Sequence, residues 1–255
     1  MKRLFFTLVL LGASFLSTQA AETCSKSSPS YTVALLELYS SEGCSSCPPA
    51  DKLIKQLYQV TGLNADQVIP LALHVDYWDY IGWRDPYAMA QHTERQRYLS
   101  ALSGSHTIYT PEFFMSGRAL RTGKLDLRKA VESINHQAAK ASLQVQLDRI
   151  KSNQIIAQID VSSMQDGELL VALVEQGLVS RVRAGENNGE TLQHDAVVRQ
   201  WSEPIQLAPG ILSRNKLQLN IPADSVSTNL SVVAFVQNQQ GKILQALSIP
   251  MCQQN

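Results

Sequence analysis

The sequence predicts an α/β amino-terminal domain at residues 30–140 and an all-β, sandwich-like domain at residues 141–251. In the first half, short apolar segments alternate with segments of helical period, which is typical of a sheet covered by helices. After Ser142 the segments alternate between apolar and polar residues and show no helical period. Turn-forming pairs such as Asn188-Gly189 separate these later segments, as expected between antiparallel strands.

Two apolar segments of the first half, Val33–Tyr39 and Val68–Val75, predict strands. Because Val68–Val75 is apolar at successive positions, we expect both faces of this strand to be buried, as in a parallel sheet. Between them, Ala50–Val60 carries Leu53 and Leu57 on one helical stripe, which predicts an amphipathic helix.

Two further helices and a hairpin complete the predicted α/β domain. Asp85 is expected to cap a helix that starts at Pro86 and stops at Gly104, since proline suits a first helical position that needs no donor. Ser116-Gly117 lies between two short strand candidates and predicts a hairpin turn. Residues 125–140 repeat apolar side chains at helical spacing and predict the last helix.

The first twenty residues have the pattern of a secretory signal peptide. Lys2 and Arg3 precede an apolar run, Leu4–Leu16, and small residues lead to Ala20. The alternative is a membrane anchor. The apolar run is shorter than the ~20 residues that a membrane-spanning helix needs, which favours the signal peptide. The sequence therefore predicts a periplasmic or secreted protein. After cleavage behind Ala20 removes residues 1–20, we expect no stable membrane insertion.

Charge and cysteine content narrow the class of protein. Removal of Lys2 and Arg3 from the 22 basic residues leaves 20 against 22 acidic residues, which argues against a nucleic-acid-binding protein. In an oxidising compartment disulfides persist. We expect Cys24 and Cys252 to form a structural disulfide that ties the chain ends together, although four cysteines allow three pairings.

The other two cysteines, Cys44 and Cys47, are spaced as a redox couple. They lie between a predicted strand and a predicted helix, where backbone N–H groups and the helix dipole favour a thiolate. In this interpretation Cys44 attacks a disulfide and Cys47 resolves the mixed disulfide. Pro48 and Pro49 lack N–H groups, which costs little in a first helical turn.

Longer segments resemble a known family. The C-x-x-C motif before a helix and Thr110-Pro111 before a hairpin resemble the thioredoxin fold, and this resemblance implies a cis Pro111 that faces the redox pair. The segments LELYSSEGCSSCPPAD, LHVDYWDYIGWRDPYA, RQRY, YTPEFF and GENNGETLQHDAVVRQW are similar to a family of secreted bacterial proteins, domain of unknown function 1223. The family implies a thioredoxin-like domain but no substrate.

An aromatic and acidic segment follows the second predicted strand, at the sheet edge where α/β proteins bind ligands. We expect it, together with Thr110, to line a substrate groove beside Cys44. The alternative is an irregular loop that turns its aromatic rings inward. The candidate substrate-binding residues are Trp78, Asp79, Tyr80, Trp83 and Thr110.

Three further features of the sequence have two interpretations each. Asp76 or Asp79 is either a loop carboxylate or a proton acceptor for Cys47. His74 is either a core histidine or a ligand, with the two cysteines, for Cu(I), which soft thiolates select. Residues 185–195 form either a polar turn between strands or part of a second site.

The sequence thus predicts an exported thiol–disulfide exchange protein, a possible oxidoreductase, in which Cys44, Cys47 and Pro111 form the reactive centre. Its partners would be protein or small-molecule thiols and disulfides, and the exchange needs no cofactor and no metal. The alternatives are a copper carrier that uses Cys44, Cys47 and His74, and a non-catalytic interaction protein in which Cys44–Cys47 is a structural disulfide.

Overall fold

The structure, a computed structural model, describes residues 24–120, 126–151 and 153–251. The described part of the chain is mostly β, with 43% of residues in strands and 19% in helices. Its α-helices are α1 (Pro48–Thr61), α2 (Ala90–Leu102) and α3 (Leu127–Asn135). Its strands, in chain order, are β1 (Cys24–Ser27), β2 (Ala34–Ser40), β3 (Val68–His74), β4 (Glu112–Met115), β5 (Arg118–Ala119), β6 (Ala141–Lys151), β7 (Gln154–Ser163), β8 (Gly167–Glu175), β9 (Leu178–Arg181), β10 (Thr191–His194), β11 (Val197–Trp201), β12 (Ile205–Leu207), β13 (Leu212–Asn220), β14 (Leu230–Gln237) and β15 (Ile243–Pro250).

A nine-stranded mixed sheet organises the molecule as far as it is described. Its order is β15-β14-β8-β11-β3-β2-β4-β5, with β12 also paired to β8. Strands β2 and β3 run parallel, and β4 runs antiparallel to β2. Every residue of β2 is buried, including the polar residues Glu37 and Ser40.

A second, four-stranded sheet of order β1-β6-β7-β13 covers one face of the large sheet. Successive side chains of β8 lie on opposite faces of the large sheet and belong to different hydrophobic cores. Leu170 and Ala172 join the core beneath the three helices, whereas Val171 and Leu173 join the core shared with the four-stranded sheet. Side chains of a strand point alternately to opposite faces, so β8 contributes to both cores at once.

The predicted fold class is wrong. We expected a thioredoxin-like α/β domain with a separate all-β domain, but the molecule is mostly β and its largest sheet passes through both halves. Strand β11 of the second half lies parallel to β3 of the first, with Val197 opposite Ala72. Hydrophobic period identifies a strand but not its partner, so sequence patterns did not reveal that the two halves share a sheet.

Helix α1 forms where its pattern predicts. Pro48 and Pro49 occupy the first helical positions, and Gly62 ends the helix in a left-handed conformation at φ 68°, with its N–H bonded to the carbonyl of Tyr58. Ile54 and Leu57 face the core. Cys47 is the residue immediately before the helix, so the redox motif lies at its amino-terminal end.

Helix α2 begins at Ala90 rather than at Pro86, so the prediction that Asp85 caps it is wrong. Asp85 is buried instead, and its Oδ1 accepts the N–H of Tyr87 at 2.9 Å. The hairpin prediction is confirmed: Ser116 and Gly117 join β4 to β5, both with positive φ, as a type I′ turn requires.

Two predictions fall outside the described residues. The signal peptide at residues 1–20 is one, and the Cys24–Cys252 disulfide is the other because Cys252 is not among them. In the part of the chain that is described, no helix is both long enough and apolar enough to cross a membrane.

Candidate functional site

The two cysteines of the motif form a disulfide with each other. A turn places them together: the N–H of Cys47 bonds to the carbonyl of Cys44 at 3.1 Å, and the carbonyl of Cys47 accepts from Ala50 at 2.8 Å, in the first turn of α1. Cys44 is 1% exposed and Cys47 is fully buried, whereas Ser45 is exposed. The disulfide is therefore covered, and the backbone between the cysteines forms the surface above it.

Three strand ends meet beside this disulfide. Ser40, the last residue of β2, is opposite His74, the last residue of β3. On the other side Tyr39 is opposite Glu112, the first residue of β4. Because β4 is antiparallel to β2, the residue before it, Pro111, lies at the same sheet edge. The Thr110–Pro111 peptide bond is cis, as the resemblance implied.

The candidate substrate-binding residues do not form one surface. Trp78 donates from Nε1 to Oγ1 of Thr110 at 2.7 Å, and a Cβ added to Gly43 would lie 3.1 Å from the Cβ of Trp78. Trp78 therefore connects the loop before Cys44 to the cis-proline segment. Trp83 instead turns towards Glu42 and donates to its Oε2 at 2.7 Å, and Tyr80 is 83% exposed.

The two loop carboxylates have partners in the same region of the chain. Oδ1 of Asp79 accepts the N–H of Asp85 at 3.1 Å, and burial raises the pKa of Asp79 above its ordinary value. Oδ1 of Asp76 accepts the hydroxyl of Thr93 at 2.6 Å. A role for either carboxylate as proton acceptor of Cys47 stays a prediction.

The loop between β9 and β10, residues 182–190, covers the disulfide from the other half of the chain. Glu186 accepts with Oε2 from both the N–H and the hydroxyl of Ser45, at 3.0 and 2.7 Å. The side-chain amide of Asn187 donates to the carbonyls of Glu42 and Cys44, at 2.8 and 3.0 Å. This loop, which we call the β9–β10 loop, thus holds the residues on both sides of Cys44.

Behind the disulfide lies a buried group of carboxylates and imidazoles, here called the acid–histidine cluster: Glu42, Asp51, His74, Asp85 and His194. Nδ1 of His74 lies 2.6 Å from Oδ2 of Asp85, and Nε2 of His194 lies 3.1 Å from Oε1 of Glu42. The two imidazole rings stack edge to face at 4.8 Å between centroids. His74 is fully buried at the end of β3, as expected for a residue on a buried strand.

Burial and charge act in opposite directions in this cluster. Burial alone lowers the pKa of His74, but the charge and hydrogen bond of Asp85 and the charges of Asp51 and Glu42 raise that pKa to about 9. Burial raises the pKa of Asp51, whereas His74 and two backbone N–H groups hold the pKa of Asp85 below its ordinary value despite its burial.

Among the described residues, the potential metal ligands that group with His74 are Asp51 and His194, and the two cysteines are not part of that group. Sequence reasoning missed Glu42, Asp51 and Asn187. Asp51 did leave a signal, because it falls on the same helical face of α1 as Ile54. A carboxylate on an apolar helical face indicates a buried partner.

No curated protein matches this chain. A crystal structure of a protein from Agrobacterium tumefaciens, solved in a structural genomics programme, covers 89% of this chain and 98% of its own, with 22% identity and a TM-score of 0.64. This similarity shows a shared fold. Two structures of a β-glucosidase from Kluyveromyces marxianus, one in complex with glucose, cover 41% of this chain and 13% of theirs, with 16% and 15% identity and TM-scores of 0.22.

A family model covers most of the chain. It matches residues 35–237, which include the cysteine motif, the Thr110–Pro111 bond, the β9–β10 loop and the whole acid–histidine cluster. The segments quoted for the resemblance begin at Leu36 and end at Trp201, within the matched range. The chain therefore belongs to the family described as protein of unknown function DUF1223.

Proposed function

We propose that this protein exchanges thiols and disulfides with a partner through Cys44 and Cys47. The observation that carries the proposal is the pairing of these two cysteines in one disulfide immediately before α1. A disulfide at a helix amino terminus is readily reduced when the helix dipole and nearby N–H groups stabilise the thiolate that reduction leaves.

The reaction would take place in two steps. With the couple reduced, the Cys44 thiolate attacks a partner disulfide, so that a mixed disulfide forms and one partner sulfur leaves as a thiolate. The Cys47 thiolate then attacks the Cys44 sulfur and releases the second partner thiolate. Two electrons pass to the partner, and the Cys44–Cys47 disulfide forms again. The same steps in reverse oxidise a partner dithiol.

The cis-proline segment supports a docking role at this sheet edge. Thr110 and Pro111 lie where β4 begins, beside the end of β2, and Trp78 bonds to Thr110. A partner chain that reaches Cys44 would lie against Trp78 and Thr110. Asp79, Tyr80 and Trp83 remain candidate contacts of such a partner, and Tyr80 is the most exposed of the three.

Exchange requires the β9–β10 loop to move, because Cys44 is buried. Among the described contacts, two hydrogen bonds to Glu186 and two from Asn187 join this loop to the motif. Local opening that breaks such contacts costs less free energy than unfolding of the whole protein. We therefore infer that partner access is controlled by this loop.

A trapping experiment tests the proposal. In the Cys47→Ser variant the resolving sulfur is absent, so a mixed disulfide on Cys44 should accumulate with a disulfide-bonded partner. Non-reducing electrophoresis of the native host's cell extract should then show a band that disappears on reduction. The Cys44→Ser/Cys47→Ser variant is the control, and it should give no such band.

A redox titration of the purified chain distinguishes exchange from the structural alternative. Equilibration with glutathione buffers should reduce and reoxidise Cys44–Cys47 reversibly. A potential below about −300 mV, with no trapped partner, would instead indicate an inert structural disulfide and contradict the proposal.

A further inference from the structure

The acid–histidine cluster contains two imidazole nitrogens that have no hydrogen-bond partner. Nε2 of His74 and Nδ1 of His194 make no hydrogen bond, and the two residues are 0% and 1% exposed. A buried polar atom without a partner costs about 1–3 kcal/mol. Two such atoms in adjacent rings therefore call for a shared partner, such as a metal ion or an ordered water.

Both histidines lie near the carboxylate of Asp51. Oδ2 of Asp51 lies 3.6 Å from Nδ1 of His194, and the ligand atoms offered by Asp51, His74 and His194 lie within 4.8 Å of one another. Donor atoms around a tetrahedral Zn²⁺ are about 3.3 Å apart, given bonds of about 2.0–2.1 Å. Small side-chain rotations would bring the three atoms to that distance.

Each of the three side chains is also held by its other polar atom. Asp85 bonds to Nδ1 of His74 at 2.6 Å, and Glu42 lies 3.1 Å from Nε2 of His194. Ser40 donates to Oδ1 of Asp51 at 3.0 Å. A carboxylate behind each ligating histidine is the usual arrangement at protein metal sites, where it fixes the tautomer and orients the ring.

The charge of the cluster also favours a cation. Among the described residues, the ion-pair partners of Glu42, Asp51 and Asp85 are the two histidines. With His74 protonated, the three carboxylates still outnumber the positive charges of the cluster, and uncompensated charge is costly inside a protein. A divalent ion would displace that proton, supply two positive charges and leave both imidazoles free to ligate.

We propose that Asp51, His74 and His194 form a buried site for a divalent transition-metal ion of the Zn²⁺ type. Two imidazoles and one carboxylate suit such ions, whereas Mg²⁺ and Ca²⁺ prefer oxygen ligands. Asp51 also lines a groove of about 400 Å³ between α1 and β10, together with Lys55 and Gln193. Of the three proposed ligands, Asp51 is thus the one that borders this groove. The site uses neither cysteine, so this inference does not depend on the exchange reaction.

The test uses the oxidised full-length protein, in which the cysteine sulfurs are bonded to each other and do not compete for metal. After treatment with a chelator, the protein is dialysed against ZnCl₂, and bound zinc is measured by mass spectrometry and by competition with a chromophoric chelator. We expect one Zn²⁺ per chain.

The variants Asp51→Asn and His194→Gln should bind at least tenfold more weakly, and Asp85→Asn about 10–100-fold more weakly because it removes a supporting carboxylate. His136→Gln, which changes an exposed histidine, should bind as the unaltered protein does.

A second measurement needs no variant and is therefore independent of folding defects. In the ¹⁵N spectrum of the histidine rings, Zn²⁺ should shift Nε2 of His74 and Nδ1 of His194 in the unaltered chain. Failure to bind Zn²⁺ at one equivalent, or shifts confined to exposed histidines such as His106 and His136, would overturn the proposal.

Discussion

The carboxylate of Glu186 accepts two hydrogen bonds from Ser45, one from its backbone N–H and one from its hydroxyl. Ser45 lies between the two cysteines, and Glu186 lies 141 residues away in the β9–β10 loop. One side chain thus connects the β-rich half of the chain to the residues that cover the disulfide.

Replacement of Glu186 tests whether this contact restricts access. In Glu186→Gln the acceptor is no longer charged, and hydrogen bonds to charged groups are stronger than neutral ones. We expect dithiothreitol to reduce the Cys44–Cys47 disulfide severalfold faster in this variant, as measured by quenched alkylation and mass spectrometry. Glu190→Gln, which alters an exposed carboxylate at the end of the same loop, is the matched control and should leave the rate unchanged. Equal rates in the two variants would show that Glu186 does not restrict access.

The same contact should depend on pH. The hydrogen bonds from the hydroxyl and the N–H of Ser45 lower the pKa of Glu186 below its ordinary value. A group whose pKa is lowered on folding contributes stability above its unfolded pKa and loses it as the pH falls through the folded pKa. The contact should therefore weaken in acid, below the usual titration range of glutamate.

Titration of the Glu186 carboxyl carbon by NMR measures this shift. The midpoint in the unaltered protein should lie below that of an ordinary glutamate, and Ser45→Ala should raise it. A midpoint that does not change in Ser45→Ala would mean that the hydroxyl does not hold the carboxylate.

Asn187 should contribute to stability as well as to coverage. It is 6% exposed, and Asn187→Ala would leave the carbonyls of Glu42 and Cys44 without their present donor. Each buried group left unpaired costs about 1–3 kcal/mol of the free energy of unfolding. Asn188→Ala changes an exposed neighbour and should cost less than about 0.5 kcal/mol. Urea denaturation of both variants measures the difference. Similar midpoints would show that the hydrogen bonds of Asn187 do not stabilise the fold.

The hairpin after the cis-proline segment leaves no room at Gly117. A Cβ there would lie 1.9 Å from the carbonyl oxygen of Gly241, and φ is +84°. Gly104 also has a positive φ, +78°, but no described atom lies within 4 Å of its added Cβ. Gly104→Ala should therefore cost only the backbone strain, about 1–2 kcal/mol.

The difference between these two variants isolates the clash. We expect Gly117→Ala to lower the melting temperature clearly more than Gly104→Ala does, because the backbone of Gly241 would have to move. Equal losses in thermal unfolding would show that the hairpin can shift away without cost.

Local patterns predicted the elements near the site better than the arrangement of the sheets. Helix α1, strand β2 and the turn at Ser116-Gly117 follow from period and turn chemistry in a few neighbouring residues. Asp85 was misassigned because a carboxylate before a proline is typical of a helix start, whereas here it is buried against His74. The contact between His74 and Asp85 spans eleven residues of largely irregular chain, so no hydrophobic period in the sequence predicts it.

The sequence by itself determined where most strands and helices form, which cysteines can pair at short range, and that Thr110-Pro111 precedes a hairpin. These features depend on neighbouring residues, whose geometry is set by backbone and side-chain preferences. Only the tertiary structure decided that β11 joins β3 in one sheet, that Glu186 and Asn187 cover Cys44, and that His194 meets Asp51 and His74. Those contacts join residues more than a hundred positions apart, and no local preference specifies them. They follow from the one packing that buries the apolar faces of both halves together.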